Sequence, residues 1–105
     1  MTYRVVLAPA AAETLGSLLN RQLRAALERR IGALRRNPAE QGMALTSSLR
    51  GLYALRTEGG WCRIIYQIAS GQVEILALHM GMGSAALAER DWLELARRLF
   101  RQRLL

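Results

Sequence analysis

Residues 51–79 have the sequence Gly51-Leu-Tyr-Ala-Leu-Arg-Thr-Glu-Gly-Gly-Trp-Cys-Arg-Ile-Ile-Tyr-Gln-Ile-Ala-Ser-Gly-Gln-Val-Glu-Ile-Leu-Ala-Leu-His79. Leucine, β-branched and aromatic side chains alternate with other residues in three short runs. Glu58-Gly59-Gly60 and Ser70-Gly71 separate these runs and are typical of hairpin turns. The segment therefore predicts three consecutive antiparallel strands.

The middle run predicts a strand with two different faces, because successive side chains of a strand point to opposite sides. One set of side chains is apolar and consists of Cys62, Ile64, Tyr66 and Ile68. The other set includes a cation and consists of Trp61, Arg63, Ile65 and Gln67. We expect the first face to pack on a core and the second to present Arg63 on a basic surface.

The chain is short and strongly basic. Its 105 residues carry a formal net charge of +7, and all 15 basic residues are arginine. We expect one domain over residues 1–105. A charge of this size favours binding to polyanions in general, a class that includes nucleic acid and anionic membranes. Arginine binds phosphate with two hydrogen bonds, whereas the absence of lysine excludes Schiff-base chemistry on a lysine.

The cysteine and histidine counts limit the chemistry further. Cys62 is the single cysteine and His79 the single histidine, so an internal disulfide is impossible and a zinc site fails by count. We therefore expect no metal and no cofactor. A signal-peptide pattern and a bilayer-length apolar run are both missing, and we expect a cytoplasmic protein with no membrane partner.

The N-terminal half predicts a strand followed by two helices. The strand covers Tyr3–Ala8, and Pro9 opens a helix whose body is Ala10–Leu19. Asn20 is a suitable cap for a second helix over Arg21–Arg36. Apolar residues recur along that helix at the helical period, at Leu23, Leu27, Ile31 and Leu34.

The remaining segments are less regular. Asn37-Pro38 ends the second helix, and Pro38–Ser48 predicts a loop with a short extended piece at Met43–Leu45. A glycine-rich connection follows His79. A final helix over Leu87–Arg103 presents an apolar stripe that includes Trp92, Leu95 and Leu99.

Five short patterns follow one another in a fixed order: Tyr3-x-Val5, Pro9-x-Ala11, Leu34-Arg-Arg-Asn37-Pro38, Leu49-x-Gly51-Leu52-Tyr53-x-Leu55-Arg56 and Arg63-Ile-Ile-Tyr66-Gln-Ile68. In this order they resemble the RelE/ParE superfamily of toxins from bacterial type II toxin–antitoxin systems. The resemblance covers nearly the whole chain. It implies an α+β fold of the microbial-ribonuclease kind, in which a small antiparallel sheet packs on an N-terminal helix hairpin and a C-terminal helix follows.

The resemblance also implies a cognate antitoxin and leaves three functions open. Members of the RelE branch cut mRNA in the ribosomal A site without a metal, using a base, an acid and cations that stabilise the charged transition state. Members of the ParE branch inhibit DNA gyrase. A catalytically degenerate homologue would act only as a binding partner for the antitoxin and the operator. In each case we expect the protein to bind operator DNA only through the antitoxin. The terminal helix around Trp92 favours the RelE branch, with ribosome and mRNA as partners.

Candidate catalytic residues are Arg63, Arg56 and His79. By resemblance, Arg63 contacts the scissile phosphate and Arg56 matches the arginine of the preceding strand. His79 is the natural acid or base because the ordinary pKa of histidine lies near neutrality. A solvated strand cation at Arg63 and a structural histidine at His79 are the plain alternatives.

The other candidates are binding residues. Those predicted for substrate are Trp92, Arg50, Arg35 and Arg36, and those predicted for antitoxin are Trp92, Leu95 and Leu99. Two features depart from the family pattern. Leu52 and Ala54 stand where lysines are common, and residues 79–84 replace an arginine-rich segment, which keeps the gyrase alternative open.

Overall fold

The structure, a computed structural model, describes residues 2–46, 49–57 and 62–80. Along these residues it has five strands, three α-helices and one short 3-10 helix, which confirms the α+β class. In chain order they are β1 (Arg4–Leu7), α1 (Pro9–Gly16), α2 (Arg21–Gly32), the 3-10 helix (Ala33–Arg35), α3 (Pro38–Gln41), β2 (Met43–Ala44), β3 (Leu52–Arg56), β4 (Cys62–Ala69) and β5 (Gln72–Met80). The final helix expected over Leu87–Arg103 lies outside the described residues.

The five described strands form one sheet in the order β1-β5-β4-β3-β2. The β3-β4-β5 meander is antiparallel, as predicted, and β2 is antiparallel to β3. β1 instead pairs in parallel with β5, through rungs such as Val5 with Val73. The sheet is therefore mixed and not wholly antiparallel as expected. α1 and α2 carry the chain over one face of the sheet from β1 at one edge to β2 at the other, so β1 pairs with the last strand of the meander and not with its neighbour in sequence.

The turn between β4 and β5 has the backbone that its sequence predicts. Ser70 and Gly71 both have positive φ, at 50° and 75°. A type I′ two-residue hairpin turn requires positive φ at both positions. The other predicted turn, Glu58-Gly59-Gly60, lies outside the described residues.

The helix hairpin begins as predicted and is shorter than predicted. α1 ends at Gly16, three residues before the expected end, and Leu19 is 96% exposed. Asn20 caps α2, because its Oδ1 accepts hydrogen bonds from the N–H groups of Gln22 and Leu23 at 2.9 and 3.0 Å. The cap satisfies two N–H groups that have no partner within the helix.

The segment after α2 contains more structure than expected. α2 ends at Gly32, and the 3-10 helix replaces the last turn that was predicted up to Arg36. Asn37 then adopts a left-handed backbone with φ 49°, and Pro38 opens the one-turn helix α3 in a segment expected to be a loop. The expected extended piece is present as the edge strand β2. None of the helices in the described ranges is long and apolar enough to cross a membrane.

The apolar face of β4 packs on the helices as predicted. Ile64 and Tyr66 are fully buried. They share a cluster with three of the four apolar side chains that recur along the predicted second helix, which are Leu27, Ile31 and Leu34. Leu23, the fourth, is 38% exposed in the first turn of α2. Each fully buried side chain of this kind contributes about 1.5–3 kcal/mol.

The opposite face of the sheet is more apolar than predicted. It carries a second buried cluster of Leu49, Leu52, Ile65, Leu76 and Ala77. The register between β4 and β5 shifts at this point, because Ile65 pairs with Ala77 while Tyr66 pairs with Ile75. This β-bulge leaves Leu76 outside the pairing, so Leu76 and Ala77 both join the second cluster although they are adjacent in the chain.

Tyr66 holds α3 against the sheet. Its hydroxyl donates a 2.7 Å hydrogen bond to the carbonyl oxygen of Pro38, and its ring stacks on Tyr53 with centroids 5.3 Å apart. A Cβ atom on Gly42 would collide with this hydroxyl and would lie 3.0 Å from the carbonyl oxygen of Ala54. Gly42, which joins α3 to β2, therefore lies where any larger side chain would have to displace the Tyr66 hydroxyl.

Candidate functional site

The three residues predicted to be catalytic lie side by side on adjacent strands. Arg56 of β3 is directly opposite Arg63 of β4, and Arg63 is directly opposite His79 of β5. Because adjacent strands are about 4.8 Å apart, the backbone distance from Arg56 to His79 is about 10 Å. We call these residues the Arg-Arg-His row. The row lies on the sheet face away from α1 and α2, since Ile65, two residues after Arg63, belongs to the second cluster.

The β-bulge in β5 determines where His79 lies. An uninterrupted ladder from the Ser70-Gly71 turn would place Leu78 opposite Arg63 and would turn His79 toward the helices. The bulge adds one residue to β5, and the observed rung joins Arg63 to His79. Leu78 consequently belongs to the helix-facing core, and His79 shares the face of the two arginines.

Burial and charge both act on the row. Arg63 is only 6% exposed, His79 is partly buried and Arg56 is exposed. Burial, and next the Arg56 guanidinium, lower the pKa of Arg63 below its ordinary value. Burial, and next the positive charge of Arg63, lower the pKa of His79 from its ordinary 6.5. A lowered pKa favours the neutral form of the imidazole near pH 7. His79 is opposite Arg63, and Arg56 lies one strand further along the row.

Thr57 closes the hairpin that carries the two arginines. Its N–H donates to the Cys62 carbonyl oxygen at 2.9 Å, and its hydroxyl donates to the same oxygen at 3.0 Å and accepts from the Cys62 N–H at 3.1 Å. We call these bonds the Thr57–Cys62 clasp. Because this rung is hydrogen-bonded, the neighbouring rung of Arg56 and Arg63 is the non-hydrogen-bonded kind, in which facing side chains approach most closely.

Sequence reasoning missed Thr57. The one signal in the sequence is a β-branched hydroxyl residue directly after a candidate site arginine at the end of a predicted strand. Such a residue is ordinary in strands. Only the structure shows that the hydroxyl is used inside the hairpin.

Two other ionisable side chains of β4 do not belong to the row. Cys62 and Tyr66 are fully buried on the helix-facing side, which confirms the predicted core position of Tyr66. Burial raises the pKa of Cys62 to about 11 and is the main cause that raises the pKa of Tyr66 to about 12. Raised pKa values favour the protonated form of both groups at neutral pH, and both side chains face the core on the side of the sheet opposite the row.

The predicted substrate-binding arginines lie at the other end of the sheet. Arg50 precedes β3 and Arg56 ends it, so up to about 20 Å of extended chain separates them. The carbonyl oxygen of Arg35 accepts a 2.7 Å hydrogen bond from the N–H of Tyr3, so Arg35 lies beside the start of β1. The start of β1 pairs with the start of β5, which is the end of β5 farthest from His79. All three of these arginines are exposed: Arg35, Arg36 and Arg50. The structure does not bring them into the Arg-Arg-His row.

The other candidate binding residues, Trp92, Leu95 and Leu99, lie outside the described residues. Leu52 and Ala54, at which the resemblance implies lysines, share the face of the row, and Leu52 is buried in the second cluster. Within the described ranges there is no group of three or more histidine, cysteine, aspartate or glutamate side chains that could hold a metal ion.

The row has the parts needed to bind and cleave a phosphodiester. Two guanidinium groups facing each other across one rung repel. A phosphate oxygen near both relieves that repulsion and accepts charge-assisted hydrogen bonds. A neutral imidazole beside them can take a proton from a hydroxyl group. Stabilising a charged phosphate while activating a neighbouring hydroxyl is what transesterification of RNA requires.

Comparison with solved structures finds this fold in bacterial toxins. A chain of the toxin–antitoxin complex RelBE2 from Mycobacterium tuberculosis is 30% identical, with a TM-score of 0.65, over 77% of this chain and 93% of that chain. YoeB from Staphylococcus aureus, solved as a dimer, is 18% identical with a TM-score of 0.63, over 78% of this chain and 100% of that chain. A mutant of the E. coli toxin RelE in the free state is 18% identical with a TM-score of 0.67, over 93% and 98%.

The last two similarities concern the fold alone, whereas the first also extends to the sequence. No model of a known protein family matches the chain. No curated protein sequence matches it either.

Proposed function

The chain belongs to the RelE-like superfamily of type II toxin–antitoxin toxins, and from that premise we propose that it is a metal-independent endoribonuclease that cuts ribosome-bound mRNA and is neutralised by a cognate antitoxin. The observation that carries the proposal is the Arg-Arg-His row, in which Arg56, Arg63 and His79 occupy facing positions on three adjacent strands. Like charges directly opposite each other destabilise a sheet, and a phosphate bound by both guanidinium groups gives this arrangement a use.

The proposed reaction uses the row as follows. Neutral His79 accepts the proton of a ribose 2′-hydroxyl, and the 2′-oxygen attacks the adjacent phosphorus. The bond from phosphorus to the 5′-oxygen breaks, and a 2′,3′-cyclic phosphate remains. The 5′-oxygen takes a proton from water, and the proton on His79 passes to the hydroxide that is left, which restores the neutral imidazole. Arg63 and Arg56 stabilise the negative charge that develops on the phosphate oxygens. Because guanidinium groups supply the positive charge that a metal ion would otherwise provide, we expect cleavage to continue in the presence of a metal chelator.

The arginines at the far end of the sheet have a different role in the proposal. Arg35, Arg36 and Arg50 are exposed and too far from the row to contact the same phosphate. We assign them to phosphates of ribosomal RNA or of distant mRNA nucleotides. Replacing any one of them by alanine should lower the slope of log affinity against log salt by about 0.7–0.9, the value for one phosphate neutralised by the protein.

The proposed protein partner is an antitoxin encoded with the toxin. The M. tuberculosis relative was solved in a toxin–antitoxin complex, which supports a partner of the same kind here. We retain Trp92, Leu95 and Leu99 as predicted antitoxin contacts. Operator DNA is then reached only through the antitoxin.

The test is single-turnover cleavage of mRNA on programmed ribosomes by the purified protein, with and without chelator. Arg63→Ala is expected to lower the cleavage rate about 10²-fold or more, the usual loss for one electrostatic stabiliser, while ribosome binding changes little. Arg21→Ala is the matched control, because it removes the same charge from an exposed position at the start of α2. Equal rates for Arg63→Ala and the control contradict the proposed role of Arg63.

Inhibition of DNA gyrase is the second candidate function. The observation that favours it is the apolar character of positions 52 and 54, because buried Leu52 and Ala54 add no cation to the face of the row. Mapping mRNA 5′ ends and plasmid topology in the same induced cells separates the two. Cuts in phase with the reading frame support the ribonuclease. Trapped or linearised plasmid without such cuts supports the gyrase inhibitor and contradicts the ribonuclease.

A further inference from the structure

We propose that Thr57 is a positioning residue for the cleavage reaction, a role that rests on the proposed function. Its side chain contacts neither substrate nor reacting atoms in this proposal. It acts through the Thr57–Cys62 clasp, which fixes the separation and direction of the two arginines in the neighbouring rung.

The need for a clasp follows from the charges. The rung of Arg56 and Arg63 is the last one within strands β3 and β4 and lies directly before the Thr57–Cys62 clasp, and it belongs to the kind in which side chains are closest. The Arg56 charge acts unfavourably on the charge of Arg63, and Arg63 is buried, so water screens its charge less than it would at the surface. Ends of elements open first in native proteins. Without a further restraint, this rung would be the weakest part of the hairpin.

The restraint is a side chain and not backbone pairing alone. In a regular rung the Cys62 N–H would donate to a backbone carbonyl oxygen, but here it donates to the Thr57 hydroxyl. The same hydroxyl returns a hydrogen bond to the Cys62 carbonyl oxygen. Thr57 is 4% exposed and Cys62 is fully buried, so water does not replace these bonds easily.

The consequence for catalysis is preorganisation. The transition state needs both guanidinium groups aimed at one phosphate, and electrostatic stabilisation is large only when its groups are already in place. A displacement of about 1 Å at a reacting centre can cost about 10²-fold in rate. An open clasp would displace Arg56 and Arg63 relative to each other without removing either charge.

The test compares Thr57→Val, which keeps the shape and loses the hydroxyl, with Thr57→Ser, which keeps the hydroxyl. In single-turnover cleavage on ribosomes, Thr57→Val is expected to lower the rate at saturating ribosomes about 10–100-fold, with unchanged ribosome affinity. Thr57→Ser is expected to restore most of that rate. Thr14→Val is the matched control, because the Thr14 hydroxyl bonds within α1, to the Ala10 carbonyl oxygen at 3.0 Å.

A kinetic double-mutant cycle tests whether Thr57 acts through the arginines. In an Arg56→Gln background there is no facing charge to hold, so Thr57→Val should cost clearly less than in the wild type. If the two losses multiply independently, the positioning role is wrong. Thr57→Cys, with a weaker hydrogen-bonding group, should show a smaller loss and replaces Thr57→Val in the cycle if the valine variant does not fold.

The outcomes separate this inference from the proposed function. If the wild type cuts and Thr57→Val cuts as fast, the positioning role is wrong while the ribonuclease stands. If the wild type cuts no ribosome-bound mRNA, the ribonuclease is wrong and the positioning role is wrong with it. Amide hydrogen exchange at Cys62, faster in Thr57→Val than in Thr57→Ser, reports the open clasp directly, and unchanged exchange overturns the inference.

Discussion

Replacing Arg56 by glutamine should make the protein more stable and less active. Arg56 faces Arg63 across one rung of the β3–β4 ladder, and the Arg56 charge is one of the causes that lower the pKa of Arg63. Glutamine keeps a polar, hydrogen-bonding end group on a shorter side chain and removes the charge. The fold loses a repulsion, whereas the proposed transition state loses a stabilising charge.

The expected gain in stability is small but measurable. Facing cross-strand pairs contribute about 0.2–1 kcal/mol, with a destabilising sign for like charges. Arg56 is exposed, so solvent screening keeps the gain within this range. A domain of this size gains about 4–8 °C in melting temperature per kcal/mol, which gives a rise of about 1–8 °C. The cleavage rate should fall about 10²-fold, as for the loss of one electrostatic stabiliser.

The assay is urea unfolding at low salt and in 1 M sodium chloride, because urea adds no ions. The screening length is about 30 Å at 0.01 M salt and about 3 Å at 1 M, so the gain should be largest at low salt and nearly vanish at 1 M. Arg50→Gln is the matched control. Arg50 is exposed and lies before β3. Its replacement lowers the net charge of +7 by one, as Arg56→Gln does, and it should change stability by less than about 0.5 kcal/mol.

The reasoning is refuted if Arg56→Gln is less stable than Arg50→Gln, or if its gain is equally large at 1 M salt. Either result would mean that Arg56 supports the fold through packing of its methylene groups. Opposite changes in stability and rate are typical of a functional site, whose arrangement costs stability. A parallel loss of both would instead indicate a structural arginine.

Two further predictions concern the core and His79. Gly42→Ala should destabilise by about 1–3 kcal/mol, because the new Cβ collides with the Tyr66 hydroxyl. Gly32→Ala should be neutral or stabilising by up to about 1 kcal/mol in thermal melts, since nothing lies within 4 Å of its added Cβ; the reverse order would contradict the described packing. The pKa of His79 is lowered in the folded state, so the unfolded chain binds more protons just below pH 6.5, and stability falls as pH drops from 6.5 toward that lowered pKa. In the His79→Gln variant, stability should depend less on pH between pH 6.5 and the lowered pKa, and above about pH 7.5 its dependence on pH should match that of the wild type. The prediction is wrong if the variant loses stability below pH 6.5 as steeply as the wild type.

Local signals predicted most of the fold. Two-residue alternation and the Ser70-Gly71 turn are enough to define a hairpin, and the Asn20 cap marks the start of α2. The parallel pairing of β1 with β5 could not be predicted in this way, because it joins residues as distant as Val5 and Val73. Alternation shows which residues form a strand, but it does not show which other strand of the sheet that strand pairs with.

The candidate site was predictable in its residues and only partly in its geometry. Arg56 and Arg63 belong to the same predicted hairpin, so a short turn between them already suggests that they face each other. His79 is different. A regular ladder that starts at the two-residue turn would pair His79 with Cys62 and place His79 on the helix-facing side. The bulge shifts the register by one residue, so His79 pairs with Arg63 on the other side. The hydroxyl of Thr57 had no sequence signature because its role depends on the pairing itself.

The bulge, and with it the position of His79, follows from a choice between two side chains. Without a bulge, His79 would enter the helix-facing core and Leu78 would leave it. Burying the leucine contributes about 1.5–3 kcal/mol, and burying a polar imidazole among apolar side chains costs about 1–3 kcal/mol. A bulge sacrifices about one ladder hydrogen bond, or about 0.5–1.5 kcal/mol. The core therefore favours the bulged register, and the pattern that buries Leu78 is also what places His79 beside Arg63.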